Sequence, residues 1–228
     1  MIESPLTMSV VFHLGPIPVT APVLVSWGIM VALSGGSWLL TRRLTLRPSG
    51  AQAVLELVVE GISEQIRDTM RTEPRHYLPL IGTLFLFILS ANWSSLIPGV
   101  EPPTAHIETD AALALIVFVA IAWLGIRARG VIGWLASFAE PNALMLPLNL
   151  VESITRTFSL LVRLFGNVMS GVFVIGIILS LVGLLVPVPL MALELLTGAV
   201  QAYIFSVLAM VFIAGAIGDA PQRDGAKP

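Results

Sequence analysis

The sequence predicts an all-α integral membrane protein: about five transmembrane helices, the last two of them long and tilted, plus one amphipathic surface helix. Three observations support that class. First, 56% of the 228 residues are hydrophobic, only 11% are charged, and mean hydropathy is +0.92, whereas a soluble domain carries about 25% charged residues. Second, uncharged runs recur at about 20 residues, the length that takes a helix across hydrocarbon. Third, the Arg and Lys outside those runs fall only in every second connection and after the last run.

The first run is 21–41, APVLVSWGIMVALSGGSWLLT. Segment 49–73 follows, with Val54, Val58, Ile62 and Ile66 on one helical face and Glu56, Glu60, Glu64 and Arg67 on another. That pattern is an amphipathic helix, which either lies along the membrane surface or caps a small extramembrane patch. The second run is 78–98. The third is shorter, 110–126, and begins at Asp110, so that 78–126 forms a helical hairpin. The fourth begins near Asn142 and reaches about Leu185, and the fifth is 188–217. Some forty residues of helix is about twice the hydrocarbon thickness, so the fourth must tilt, bend or start in the interface. The expected organisation is a single membrane domain over 1–228, with 142–217 as a helix pair.

Charge sets the orientation. Arg42, Arg43, Arg47, Arg67, Arg71 and Arg75 lie between the first two runs, Arg127 and Arg129 follow the third, and Arg223 and Lys227 end the chain. The connection PGVEPPTAHIETD has acids and no Arg or Lys, and the one near Pro187 and Pro189 has no charge. By the positive-inside rule the basic segments are cytoplasmic, giving an external N-terminus and a cytoplasmic C-terminus. The N-terminus, with Glu3 and no basic stretch, does not read as a signal peptide. A net charge of −2 gives no basic surface for nucleic acid. The chain has no Cys, and His13, His76 and His106 do not form a metal-ligand spacing. No cofactor is expected.

Residues 159–171, SLLVRLFGNVMSG, place Arg163 inside a highly apolar stretch. A guanidinium keeps its charge at any working pH. Glu152, Arg156, Ser159, Arg163, Asn167 and Ser170 are spaced four, three, four, four and three apart. This is the helical period, so all six share one stripe. Such a stripe facing lipid is too costly, at about +2.5 to +3.5 kcal/mol for one central Arg, so it must face protein or water. On the last run Glu194, Thr197 and Gln201 form a second polar face. Arg163 could pair with Glu194 or Glu152 to lock helices together, or the polar groups could line an ion path. Asn92 is open between interhelical glue and pathway.

RLFGN at 163–167 followed by MSG, and the pattern Glu194–x6–Gln201–Ala202–Tyr203–Ile204–Phe205, resemble the subunit a family of F-type ATP synthases. LPLNLVESITRTFSLLVRLFGN at 146–167 and FILSANWSSLIPG at 87–99 are similar to the same family, so the likeness runs from about residue 75 to 217. The resemblance implies a stator subunit in a bacterial inner membrane. Its partners would be a rotor c-ring, peripheral-stalk b subunits and the lipid bilayer, and its cargo a proton or sodium ion. It makes Arg163 the essential stator arginine, with Gln201 beside it on the last helix and Asn167 the motif asparagine. Glu194 falls where members carry histidine or glutamate, and Glu152 matches an acid near the inner access path, with Asn149 beside it. Ser170 and Asn92 complete the expected pathway set. Some members carry a partner acid or histidine nine residues after the arginine, where this chain has Val172. There is no G-x-x-x-x-G-K-[ST] loop, so nucleotide is handled elsewhere. Two other classes, a secondary cation transporter and a non-transporting assembly protein, fit the composition. The first commonly shows inverted repeats, and none is visible here.

Overall fold

The computed structural model describes residues 10–14, 17–42, 50–97, 100–138, 146–182 and 187–218. A small antiparallel hairpin, β1 (Val10–Leu14) with β2 (Ile17–Thr20), pairs Phe12 with Val19 and Leu14 with Ile17. The rest of the regular structure is helical: α1 (Ala21–Thr41), α2 (Gly50–Met70), α3 (Leu78–Trp93), α4 (Ile107–Ser137), α5 (Leu146–Val182) and α6 (Pro187–Ile217). Single 3-10 turns stand at Pro74–His76, Ser94–Leu96 and Pro103–Ala105. Five helices, α1 and α3 to α6, are long and apolar enough to cross a membrane. Glu3, Arg43, Arg47, Arg223 and Lys227, and the ends predicted at 142–145 and 183–185, lie outside the described residues.

Four helices, α3 to α6, make the core. Ile81, Leu84 and Ile88 of α3 recur at helical spacing and are buried against Leu113 and Val117 of α4 and Leu160, Leu164 and Val168 of α5. The α6 face is Ala202, Phe205, Ala209, Met210 and Ile213. The small residues among them let backbones approach, which drives helix packing where lipid is as apolar as leucine. By contrast, none of the apolar stretch of α1 is buried. Its Trp27, Val31, Trp38 and Leu39 face outward. Arg42 lies 4.9 Å over the Trp38 ring, an aromatic and basic pair suited to the membrane interface.

The predicted apolar face of the amphipathic helix is buried most deeply toward its C-terminal end. Ile66 and Met70 of α2 are buried in the core and Tyr203 Oη donates to Gln65 Oε1 at 3.1 Å. Val54, at the other end of the predicted apolar face, is 64% exposed. The third apolar helix also departs from expectation. It runs from Ile107 through Arg127 and Arg129 to Ser137, not from Asp110 to residue 126. Arginine ends an apolar run without ending a helix, since its helix propensity is high, and both side chains are exposed. Gly130 leaves the helical region at φ 74, ψ 166, a backbone open to glycine. The chain turns back there. A Cβ on Gly125 would lie 2.5 Å from Trp134 Cδ1, where straight helix would separate the two by about 13 Å.

Glu101, Glu108 and Asp110 mark an acidic end of the bundle, and Arg42, Arg67, Arg71, Arg127 and Arg129 a basic end. At the acidic end Asn92 is a bracket. Its Nδ2 donates to Gly198 O at 2.9 Å and its Oδ1 accepts from Thr104 Oγ1 at 2.7 Å, so α3, α6 and the loop are tied together. Trp93 Nε1 adds a bond to Leu195 O at 3.2 Å. At the basic end Arg129 Nε donates to Ile217 O at 2.9 Å, satisfying a terminal carbonyl of α6 where positive charge is favoured.

Asn92→Ala should cost about 1 kcal/mol, since intramembrane hydrogen bonds average about 0.6 kcal/mol each. Gly198→Val should cost more, because a Cβ there would meet Asn92 Cβ at 2.9 Å. Thermal melting in detergent should show both midpoints lowered and that of Gly198→Val lowered further. Unchanged midpoints would remove the bracket from the account of stability.

Candidate functional site

The site is built on α5 and α6. At 37 residues, α5 has about 55 Å of axis against about 30 Å of hydrocarbon, so it must tilt or project. Leu160, Leu164 and Val168 turn one of its faces into the core. The predicted polar stripe runs beside that face. Glu152, Arg156, Ser159, Arg163 and Ser170 are exposed and Asn167 is half-buried.

Two contacts fix the antiparallel register of the pair. Toward the acidic end, Glu194 packs against Gly171, where a Cβ would fall 2.6 Å from Glu194 Oε1. Only glycine leaves that carboxylate its place. Toward the basic end, the Arg156 guanidinium lies 5.5 Å from the Phe212 ring centroid, a cation–π contact. Between these contacts Arg163 lies eight residues, about 12 Å, from Gly171, and Gln201 seven residues, about 10 Å, from Glu194. By that count the two stand within about 2 Å of one level; counted from the Arg156–Phe212 contact, Gln201 lies about 6 Å nearer the acidic end. Gln201 is buried and Arg163 exposed.

Cavities open on either side of that level. On the basic side a groove of about 520 Å³ runs from Glu152 and Arg156 past Ser159 to Arg163. It adjoins a cavity of about 280 Å³ that shares Glu152, Arg156 and Phe212 and is walled by Arg129, Trp134 and Asn149. The turned-back end of α4 forms that wall, and Asn149 Nδ2 donates to Phe138 O at 2.9 Å. On the acidic side a cavity of about 220 Å³ is lined by Asn167, Ser170, Gly171, Glu194 and Thr197. The groove ends at Arg163, the acidic-side cavity begins at Asn167 one turn on, and the two share no lining residue.

Neither static pairing considered for Arg163 is formed. Glu152 pairs instead with Arg156, one turn away on its own helix. Among the described residues Arg163 has no hydrogen bond or ion pair. The carboxylate of Glu194 stays on the α5–α6 seam, with Oε1 buried and without a hydrogen-bond partner. The structure thus gathers Asn167, Ser170 and Glu194 at one cavity and Asn149 and Glu152 at another. It leaves Asn92 apart from both, engaged at each end of its amide.

Two buried ionisable residues escaped the sequence reading. Asp110 is 0% exposed and His106 8%. The available signal was the spacing of Asp110 with Leu113, Ala114 and Val117, which puts an acid on the buried face of α4. Val172 is half-buried beside His106.

The family model for the ATP synthase A chain matches residues 23–214. An ATP synthase subunit a 2 of Bradyrhizobium sp. (strain BTAi1) is 56% identical over 218 residues, covering 96% of this chain and 98% of that one. The ATP synthase subunit a of Albidiferax ferrireducens is 48% identical over 204 residues, 89% of this chain and 88% of the relative. The ATP synthase subunit a 1 of Chlorobaculum parvum is 48% identical over 209 residues, 91% and 92% of the two chains. With its five apolar helices, this multi-pass membrane chain therefore belongs to the ATP synthase A chain family.

Proposed function

We propose that this chain is the stator of a rotary ion-translocating sector and that Arg163 faces the ion-carrying carboxylates of a rotor ring. The observation that carries this is an exposed, unpartnered guanidinium standing between two separate cavities. A permanent charge at membrane depth needs a counter-charge or water, and this chain gives Arg163 neither Glu152 nor Glu194. A rotor carboxylate passing the stripe would supply it. Coulomb attraction to the guanidinium would favour the ionised carboxylate and release its proton or sodium ion. Lysine could evade that task by losing its proton, whereas arginine cannot.

The cavities serve as two offset half-channels. The basic-side groove at Asn149, Glu152 and Ser159 is the cytoplasmic access, and the cavity at Asn167, Ser170 and Glu194 is the external one. Asn92 holds the external end in register through Gly198. Arg163 stands between them as a barrier, because a cation there meets repulsion in a low dielectric. Ions then cross by riding the ring, and each charge falling through 100 mV delivers about 2.3 kcal/mol. Read by the positive-inside rule, the basic connections favour a cytoplasmic C-terminus and an external N-terminus in a bacterial inner membrane. Exposed Val54, Leu57 and Val59 on α2 offer a contact for peripheral-stalk b subunits or lipid.

Ion flux through the assembled complex in vesicles tests the role of Arg163. Arg163→Ala should abolish ATP-coupled pumping while assembly persists, and should open a passive leak once the soluble sector is stripped. Near-normal coupled pumping would reduce Arg163 to a packing residue. A second test uses the Gly171 contact. Gly171→Ala should lower coupled flux without leak, because the new Cβ meets Glu194 Oε1 at 2.6 Å. Adding Glu194→Asp, which withdraws the carboxyl by one methylene, should restore part of the flux, and no restoration would separate Glu194 from the ion path. The absence of native cysteine permits a third test. Ser159→Cys on the exposed stripe should cross-link to a cysteine on the outward helix of a rotor subunit, and Leu164→Cys, at 0% exposure, should not. Equal cross-linking at both would contradict the proposed ring-facing surface.

A further inference from the structure

Among the described residues, fully buried side-chain polar atoms without a hydrogen-bond partner are few: Thr72 Oγ1, His106 Nε2, both Asp110 oxygens and Glu194 Oε1. All but the threonine lie at the acidic end, and all but the threonine are ionisable. Unpartnered ionisable groups are costly in an apolar interior. Their concentration at one end of the bundle is therefore a functional feature to be explained, since native interiors leave few such groups.

Three of the acidic-end groups form an inward series. Glu101, in the loop, has a side chain 61% exposed, and its Oε2 lies 3.3 Å from His106 Nε2 without hydrogen-bond alignment. His106 is 8% exposed and Asp110 0%. Asp110 follows His106 by one helical turn, its backbone N–H bonded to His106 O at 3.4 Å. Exposure thus falls stepwise from loop to interior. Glu101 and His106 line a cavity of about 20 Å³ with Met169, Val172 and Phe173. That is room for about one water molecule, given polar partners, and the carboxylate and imidazole supply two.

This series meets the external half-channel at α5. His106 lines one cavity with Val172, and Glu194 packs on the adjacent Gly171. Consecutive residues point to different sides of a helix, so the two sets reach one level of α5 from different sides. Beyond Asp110, the same α4 stripe continues as Leu113 and Val117 into the core shared with Val168 and Ala202. Ala202 adjoins Gln201, which lies within about 6 Å of Arg163 in depth by residue count.

Resting on the stator reading above, we infer that Glu101, His106 and Asp110 form a second, α4-side branch of the external half-channel, with Asp110 its innermost ion-binding carboxylate. The branch binds the ion that the complex translocates. It gives Glu194 ionisable neighbours from α4 and the loop, where α5 itself presents only Val172.

The branch lies on one side of the membrane only, so its loss should act in one direction. In vesicles holding the full complex, ion-driven ATP synthesis would be measured against the external concentration of proton and, separately, sodium. Asp110→Asn, nearly isosteric, should lower the rate severalfold at limiting external ion and less at saturating ion, with no passive leak. His106→Gln should shift the same concentration dependence in the same direction, and it carries the test if Asp110→Asn fails to assemble. A concentration dependence unchanged from wild type would overturn the inference, as would a loss equal at all ion concentrations, which is the mark of a purely structural role. Arg163→Ala, run in parallel, separates the two readings. If Arg163→Ala abolishes synthesis and the α4 variants have no effect, only the branch falls. If Arg163→Ala is also active, the stator reading falls with it.

Discussion

A guanidinium that cannot be neutralised, held at membrane depth without a partner from its own chain, is the constraint around which this molecule is arranged. Arg163 is exposed on α5, and its potential acidic partners are otherwise placed: Glu152 on Arg156, and Glu194 on the seam at Gly171. Such a charge is tolerable only beside water or a counter-charge. It also has to be held in position, or it would reach for one of those acids. Leu160, Leu164 and Val168 provide the hold, anchoring the neighbouring face of α5 in a core built from α3, α4 and α6. A rigid apolar face beside an open polar one is what presenting a fixed charge to an outside partner requires.

The two ends of the bundle solve polar burial differently. At the basic end two arginines are matched: Arg156 with Glu152 and the Phe212 ring, and Arg129 with the Ile217 carbonyl of α6. At the acidic end, His106, Asp110 and Glu194 keep unpartnered atoms in buried positions. The neutral groups there are satisfied, since Asn92, Thr104 and Trp93 all find partners. The contrast falls between ionisable and neutral groups at one end of one core. Loose packing would have left neutral groups unpaired as well.

Glycine does specific steric work at two close approaches. Gly171 makes room for a carboxylate and Gly198 for the Asn92 bracket, each at a distance where a methyl would collide. Both sit where α5 or α3 meets α6, so the depth of Glu194 and the register of α6 depend on them. Gly130 acts through backbone freedom instead. Its positive φ folds the end of α4 back so that Trp134 walls the basic-side cavity.

Hydrocarbon thickness and the price of charge are written into the order of residues, so the sequence alone determined the five apolar helices, the α2 amphipathic face and the α5 polar stripe. The first and last spans match the helices to within a residue at each end, because the basic Arg42 follows the first and a proline opens the last. The sequence was less informative where bounds depend on conformation. α4 continues past two arginines because exposed arginines do not stop a helix, and Val54 of the predicted α2 face stays exposed. What only the tertiary structure decided is which polar groups meet. Arg163 and Glu194 are both legible in the sequence, but not that they stay apart. Asp110 could be read as the start of a span, but not as a carboxylate sealed in a core. Pairing depends on register between helices distant in sequence, and that register is set by side-chain volume at contacts such as Gly171 with Glu194 and Gly198 with Asn92.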